Sequence, residues 1–157
     1  MEVDAADQFK TTLNDIVNGR DESFVVMARD LKTVDEVSIS RDTLVPTASV
    51  FKVPVLVEAF RNAHLDLISL HDRHELTEEH ECPVLGVLEE MLPAVQLAYS
   101  DLAVLMNISR DNTATNICLD VVGVNDANAT TRNLGLTNSD ITTGCKELSV
   151  HCAGIEA

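Results

Sequence analysis

Aromatic residues are nearly missing from this chain of 157 residues, which has no tryptophan, one tyrosine and four phenylalanines, 3% in all. A core must therefore be assembled from Val, Leu, Ile, Ala and Met. With 45% hydrophobic residues there is enough apolar matter for that, and disorder is excluded. Positive charge is equally scarce. Eleven Lys and Arg stand against 26 Asp and Glu, giving a formal net charge of −15 and a pI near 4.4. No basic surplus exists to neutralise phosphates, which argues against nucleic acid and anionic lipid as partners. No window reaches the ~18 apolar residues of a membrane span. The opening "MEVDAADQFK" lacks the basic and apolar parts of an export signal, so the chain as written is expected to stay in the cytoplasm. The four cysteines, Cys82, Cys118, Cys145 and Cys152, form no C-x-x-C pair. Cys118, inside "TATNICLDVV", reads as a small buried hydrophobe. A Cys145–Cys152 disulfide has no support without an export signal.

What is present is organised as a helix, two strands and then mostly helices. "ADQFKTTLNDIV" places Phe9, Leu13, Ile16 and Val17 at helical spacing and predicts an amphipathic helix ending near Asn18-Gly19. "SFVVMARDL" is rich in β-formers, "EVSIS" alternates, and "KTVD" between them reads as the turn of a hairpin. From residue 61 onward the pattern predicts helical pieces and loops. Ser100 is the expected N-cap of "SDLAVLMNI", Gly123 closes "NTATNICLDVVG", and "NDANATTRNLG" is expected to run from an Asn125 cap to Gly135.

Residues 46–60, "PTASVFKVPVLVEAF", set Ser49 and Lys52 three apart at the head of an apolar run. On a helix these positions share a face. A serine hydroxyl needs a base within hydrogen-bond reach to become a nucleophile. A lysine one turn on can be that base where apolar surroundings favour its neutral form. The helix N-terminus adds N–H groups suited to an oxyanion. Alone the pattern says little, since Ser-x-x-Lys arises by chance about once in every two chains of this length.

A second constellation gives it weight. "ISRDNTATNICLDVVG" carries Asp111-Asn112 at the head of an apolar helix, where an asparagine can bond a substrate carbonyl and a neighbouring lysine; a plain Asp-Asn cap is the simpler alternative. Together, in order, with the hairpin before them, these stretches resemble the class A serine β-lactamases and their penicillin-binding relatives, which carry S-x-x-K, S-D-N and K-T-G elements. The resemblance implies Ser49 as the acylated nucleophile, Lys52 as its proton-transfer partner and Asn112 as the holder of the substrate amide. It implies the Ser49 amide as half of an oxyanion hole, and hydrolysis of a β-lactam through an acyl-serine. No cofactor is implied.

The chain also departs from that family. The serine of S-D-N falls on Arg110, with Ser109 one place early, and an arginine cannot give and take a proton. The deacylating glutamate should fall near Cys145, with Glu147 two places late. No K-T-G exists, and Thr143-Gly144 lacks the lysine. His71, His74, His80 and Cys82 lie among acids at a spacing that fits no standard metal site, so no metal is expected.

The expected fold is α+β and β-lactamase/transpeptidase-like, one incomplete domain over residues 1–157. An N-terminal helix and hairpin precede a mostly helical region, and the C-terminal sheet strands are missing. Their absence exposes a strand edge and predicts self-association. The expected function is a serine hydrolase acting on β-lactams or small esters; the alternative is a non-catalytic remnant or penicillin-binding module. The resembling family is usually exported, which leaves the compartment open.

Overall fold

A computed structural model of the chain describes residues 5–18, 20, 21, 23–82, 85–91 and 94–142. Helix α1, Ala5–Val17, ends where the sequence predicts. Leu13 and Val17 are half-buried, while Phe9 and Ile16 stay about half-exposed. Strands β1, Val26–Arg29, and β2, Glu36–Ile39, pair antiparallel with Val26 opposite Ile39 and Arg29 opposite Glu36. Their turn is built by Asp30, whose Oδ1 accepts the N–H groups of Lys32 and Thr33 at 2.7 and 3.1 Å. These bonds favour the carboxylate and hold Asp30 below the usual Asp range. Among the described residues this sheet has two strands, so each keeps one unpaired edge.

The chain divides into two compact units between Val45 and Pro46. The second holds α2, Lys52–His64, α3, Tyr99–Ile108, α4, Asn112–Val122, and α5, Val124–Asn133. Helix α3 buries Tyr99, Leu102, Ala103 and Met106, the i, i+3, i+4, i+7 stripe of one face. Helix α2 contributes Val55 and Ala59, and α4 contributes Ala114, Ile117, Cys118, Leu119 and Val122. Burial of each large aliphatic side chain contributes about 1.5–3 kcal/mol. Only Phe51 and Tyr99 bring aromatic rings to this core. Among the described residues no helix is long and apolar enough to cross a membrane.

Three local expectations are corrected. Between α2 and α3 the chain is not only helix and loop. Strands β3, Arg73–Glu75, and β4, Gln96–Ala98, form a second antiparallel pair. Ser100 does not cap α3; Ala98 stands at that position. Strand β4 runs straight into the helix, and the first N–H groups of α3 find backbone acceptors instead, Tyr99 N–H on Asp72 O and Ser100 N–H on Leu70 O, both at 2.9 Å. Asn125 does not cap α5, because Gly123 at φ +82° ends α4 and starts α5 at once. A left-handed hinge of this kind costs a glycine little.

Two polar devices join the helices. Arg61 grips the fully buried Glu58 with a bidentate pair of bonds at 2.7 Å, and Thr130 of α5 donates a third to the same carboxylate. Asn128 of α5 donates to Ile141 O at 2.9 Å and accepts Ile141 N–H at 2.7 Å, as a strand partner would. The Arg61 bonds pull Glu58 below its ordinary value of 4.5, against burial, which pushes upward. A carboxylate favoured by the fold contributes its stability above its ordinary pKa and loses it as pH falls through the lowered value. Glu58→Gln is therefore expected to lower the unfolding free energy at neutral pH by about 1–2 kcal/mol, Arg61 being half-exposed. Urea melts of variant and parent should converge as pH drops well below 4.5. A gap that does not change with pH would show that the charge of Glu58 is not what matters.

Candidate active site

Ser49 lies in one turn of 3-10 helix, Ala48–Phe51, that leads directly into α2. In such a turn residues three apart eclipse each other, so Ser49 and Lys52 rise from the same side. The Lys52 N–H bonds back to Ser49 O, which locks the junction. Phe51 is buried and anchors the turn in the core. Pro54 sits in the first turn of α2, where a missing N–H costs nothing.

Lys52 is 3% exposed, and an ammonium or amine taken so far from water requires acceptors. It has them in Asn112 Oδ1 and Arg110 O, both 3.1 Å from Nζ. The structure thus brings Lys52 and Asn112 together, 60 positions apart in the chain. Arg110 reaches the same place from above. Its Nη2 donates to Ser49 Oγ at 3.3 Å. Ser109 is exposed at the end of α3 and does not line the cavity. Arg110 adopts φ +56°, a left-handed conformation that is uncommon for a residue with a side chain.

What holds this segment in place is Asp111, which is fully buried. It is the N-cap of α4, with Oδ1 accepting Ala114 N–H at 2.8 Å. Its Oδ2 accepts Val87 N–H at 2.7 Å and Leu88 N–H at 2.9 Å, and Asn112 N–H bonds to Leu85 O at 2.9 Å. Residues 85–88 are therefore clamped to the head of α4. The close approach demands Gly86: a Cβ there would lie 2.3 Å from Asp111 Oδ2 and 2.5 Å from its Cγ.

A cavity of about 350 Å³ opens at Ser49, lined by Thr47, Ala48, Ser49, Val50, Lys52, Asn107 and Arg110. Among the described residues its lining includes Lys52 and Arg110 and no carboxylate. Cys118 offers no rival nucleophile, since burial pushes its thiol up to about 12. Glu147, Cys145, Cys152, Thr143 and Gly144 lie outside the described residues. The histidines serve locally. His74 sets its ring edge-on to Tyr99 at 5.8 Å, and His80 meets Thr77 at 2.7 Å and Asp120 at 3.3 Å. Among the described residues no three His, Cys, Asp or Glu side chains converge to hold a metal. Sequence reasoning missed the Asp111 clamp and the Arg110 contact. The clamp's partners lie more than twenty positions upstream and carry no side-chain signal, because they are backbone amides.

A family model described as Beta-lactamase enzyme family matches residues 8–153. Among solved structures, a β-lactamase from Sphaerobacter thermophilus DSM 20745 superposes with a TM-score of 0.80 at 23% identity, over 86% of this chain and 51% of that one. PBP-A gives 0.86 at 23%, over 96% and 57%. The TLA-3 extended-spectrum β-lactamase gives 0.85 at 14%, over 97% and 58%. At these identities the likeness shows the fold. The chain spans somewhat more than half the length of each of these structures. No curated protein matches.

The clamp makes two residues interdependent. Asp111→Ala is expected to cost about 3 kcal/mol, since it removes a cap and strands buried N–H donors. Gly86→Ala should also destabilise, and the double variant should fall short of the sum by about 1 kcal/mol or more, because the clash disappears with Asp111. Strict additivity in urea denaturation would mean that the close approach does not constrain the loop.

Proposed function

The chain belongs to the β-lactamase enzyme family, and on that premise we propose that it is a class A-like serine hydrolase that opens β-lactam amides through an acyl-serine at Ser49. The observation that carries this reading is the pair of 3.1 Å bonds holding Lys52 between Asn112 and Arg110 O, at the cavity that contains Ser49. A neutral lysine amine has two N–H groups and one lone pair. In the proposed reaction that lone pair accepts the Ser49 proton.

In the proposed sequence Ser49 Oγ attacks the lactam carbonyl carbon as Lys52 Nζ takes its proton. The Ser49 N–H, at the start of a helical segment, faces the developing oxyanion. Asn112 orients the substrate amide while fixing Lys52. Collapse of the tetrahedral intermediate breaks the C–N bond, the leaving ring nitrogen takes the proton that Lys52 Nζ received, and the acyl group remains on Ser49. Hydrolysis then requires a base to activate water. No carboxylate lines the cavity among the described residues, and Arg110 cannot relay a proton where the family places a serine. Acylation is therefore proposed to be faster than release, and the chain acts closer to a penicillin-binding module than to a rapid catalyst.

A fluorescent penicillin is expected to label the chain slowly and to persist, with the adduct on Ser49 by peptide mass spectrometry. Ser49→Ala should abolish labelling, and Lys52→Ala should slow it by about 10²–10⁴, the value of a general base. Absence of an adduct after long incubation would end the acyl-serine reading. Many nitrocefin turnovers per chain would instead show that an efficient deacylating base exists.

A further inference from the structure

Helix α2 is apolar on more than one side. Val55 and Ala59 are buried in the core, yet Val53, Val57 and Phe60, spaced i, i+4 and i+7, stay exposed as a second stripe. Helix α3 repeats this. Leu102 and Met106 are buried, while Val104 and Ile108, four apart, are exposed. The two helices frame a recess of about 300 Å³, walled by Leu56, Ala59 and Phe60 of α2 and by Ala103, Val104 and Ile108 of α3. Single apolar residues at a surface are ordinary, but a contiguous apolar hollow marks a place where something binds.

Charge, size and polar groups narrow what fits. Among the described residues no charged side chain lines the recess, so an ionic group entering it would leave water without a partner. At ~30 Å³ for each water-sized group, the hollow holds about ten non-hydrogen atoms, which is one or two rings. A second copy of the chain would bring a net charge of −15 toward another −15, whereas a small neutral molecule meets no such repulsion. Three polar side chains border the recess: Tyr99, Ser100 and Asn107. The Tyr99 hydroxyl is committed to Cys118 O at 3.2 Å. Asn107 donates from Nδ2 to Ala103 O at 3.0 Å, which leaves its Oδ1 as an acceptor.

We propose that this recess is a second ligand site, for a small uncharged aromatic or alicyclic molecule that carries one N–H or O–H donor for Asn107 Oδ1. The apolar walls supply the attraction, and the single acceptor sets the orientation. Asn107 also lines the Ser49 cavity, so the two sites share one wall. The inference uses no chemistry at Ser49 and stands whether or not an acyl-serine forms.

Indole is a suitable probe, with fused rings, no charge and one N–H. Titrated into the chain carrying ¹³C-labelled Ile, Leu and Val methyl groups, it is expected to shift the methyl signals of Leu56, Leu70, Val104 and Ile108. Those of Val26 and Ile39 in the hairpin should stay in place. A Kd of about 0.1–1 mM is expected for a ligand of this size. 1-Methylindole lacks the donor and should bind about fivefold more weakly, the value of one neutral hydrogen bond. Indole-3-carboxylate should bind more weakly by about tenfold or more, because its charge finds no partner. Val104→Asp sets a carboxylate on the rim at an exposed position; it should weaken indole by a similar factor with the urea midpoint near that of the parent. Ile108→Asp, at a position 79% exposed, gives the same reading if that chain fails to fold. Shifts that do not saturate, or an affinity unchanged by the rim aspartate, overturn the site. Equal binding of 1-methylindole or of the carboxylate overturns the ligand class. Light scattering on the same samples reads the remaining outcome. A dimer that the rim aspartate dissolves would assign this face to a second copy of the chain and overturn the inference.

Discussion

One buried carboxylate, that of Asp111, underlies the arrangement of everything around Ser49. Taken out of water, a carboxylate is costly unless donors surround it. Here three backbone N–H groups do so, one from the helix it caps and two from residues 87 and 88. Satisfying that charge fixes the first turn of α4, and with it the residues on either side. Asn112 turns toward Lys52, and Arg110 presents its carbonyl to the same amine and its guanidinium to Ser49. Three neighbouring residues thus have three tasks, and the middle one, which lies outside the cavity lining, sets the other two.

The shortage of aromatic rings has its counterpart in α4. Every residue from 112 to 119 is buried, although Asn112, Thr113, Thr115 and Asn116 are polar. Each finds a partner: Thr113 accepts Cys82 N–H, Thr115 donates to Asp111 O, and Asn116 donates to His80 O. A central helix built this way derives its register from hydrogen bonds rather than from ring packing. Buried polar networks of this kind specify one arrangement because a shifted one leaves donors stranded. The same logic holds Glu58 between α2 and α5.

Features confined to one turn or one hairpin could be read from the sequence. The Ser49–Lys52 spacing works within a single turn, the hairpin announces itself by alternation and a turn motif, and Gly123 and Gly135 end helices through their own backbone freedom. The strands β3 and β4 could not be read, because three residues such as Arg73-His74-Glu75 show no alternation and their pairing is over twenty positions away. Ser100 and Asn125 were persuasive as caps on composition, but tertiary acceptors and a shared glycine had already met the need. The meeting of Lys52 and Asn112 was legible only through likeness to a family. Nothing in local pattern joins them, and the guanidinium beside Ser49 followed from neither pattern nor likeness.

The bond from Lys52 to Asn112 closes a loop of 60 positions. In polymer terms, bringing the ends of so long a flexible segment together costs roughly 4 kcal/mol of chain entropy before any contact compensates. One hydrogen bond does not return that sum, so the two halves of the site cannot find each other ahead of the helices that carry them. They meet only when α2 and α4 have packed, and they part when that packing opens. The cavity at Ser49 is therefore a late product of folding, with no local precursor, and its integrity reports on the cohesion of the whole helical unit.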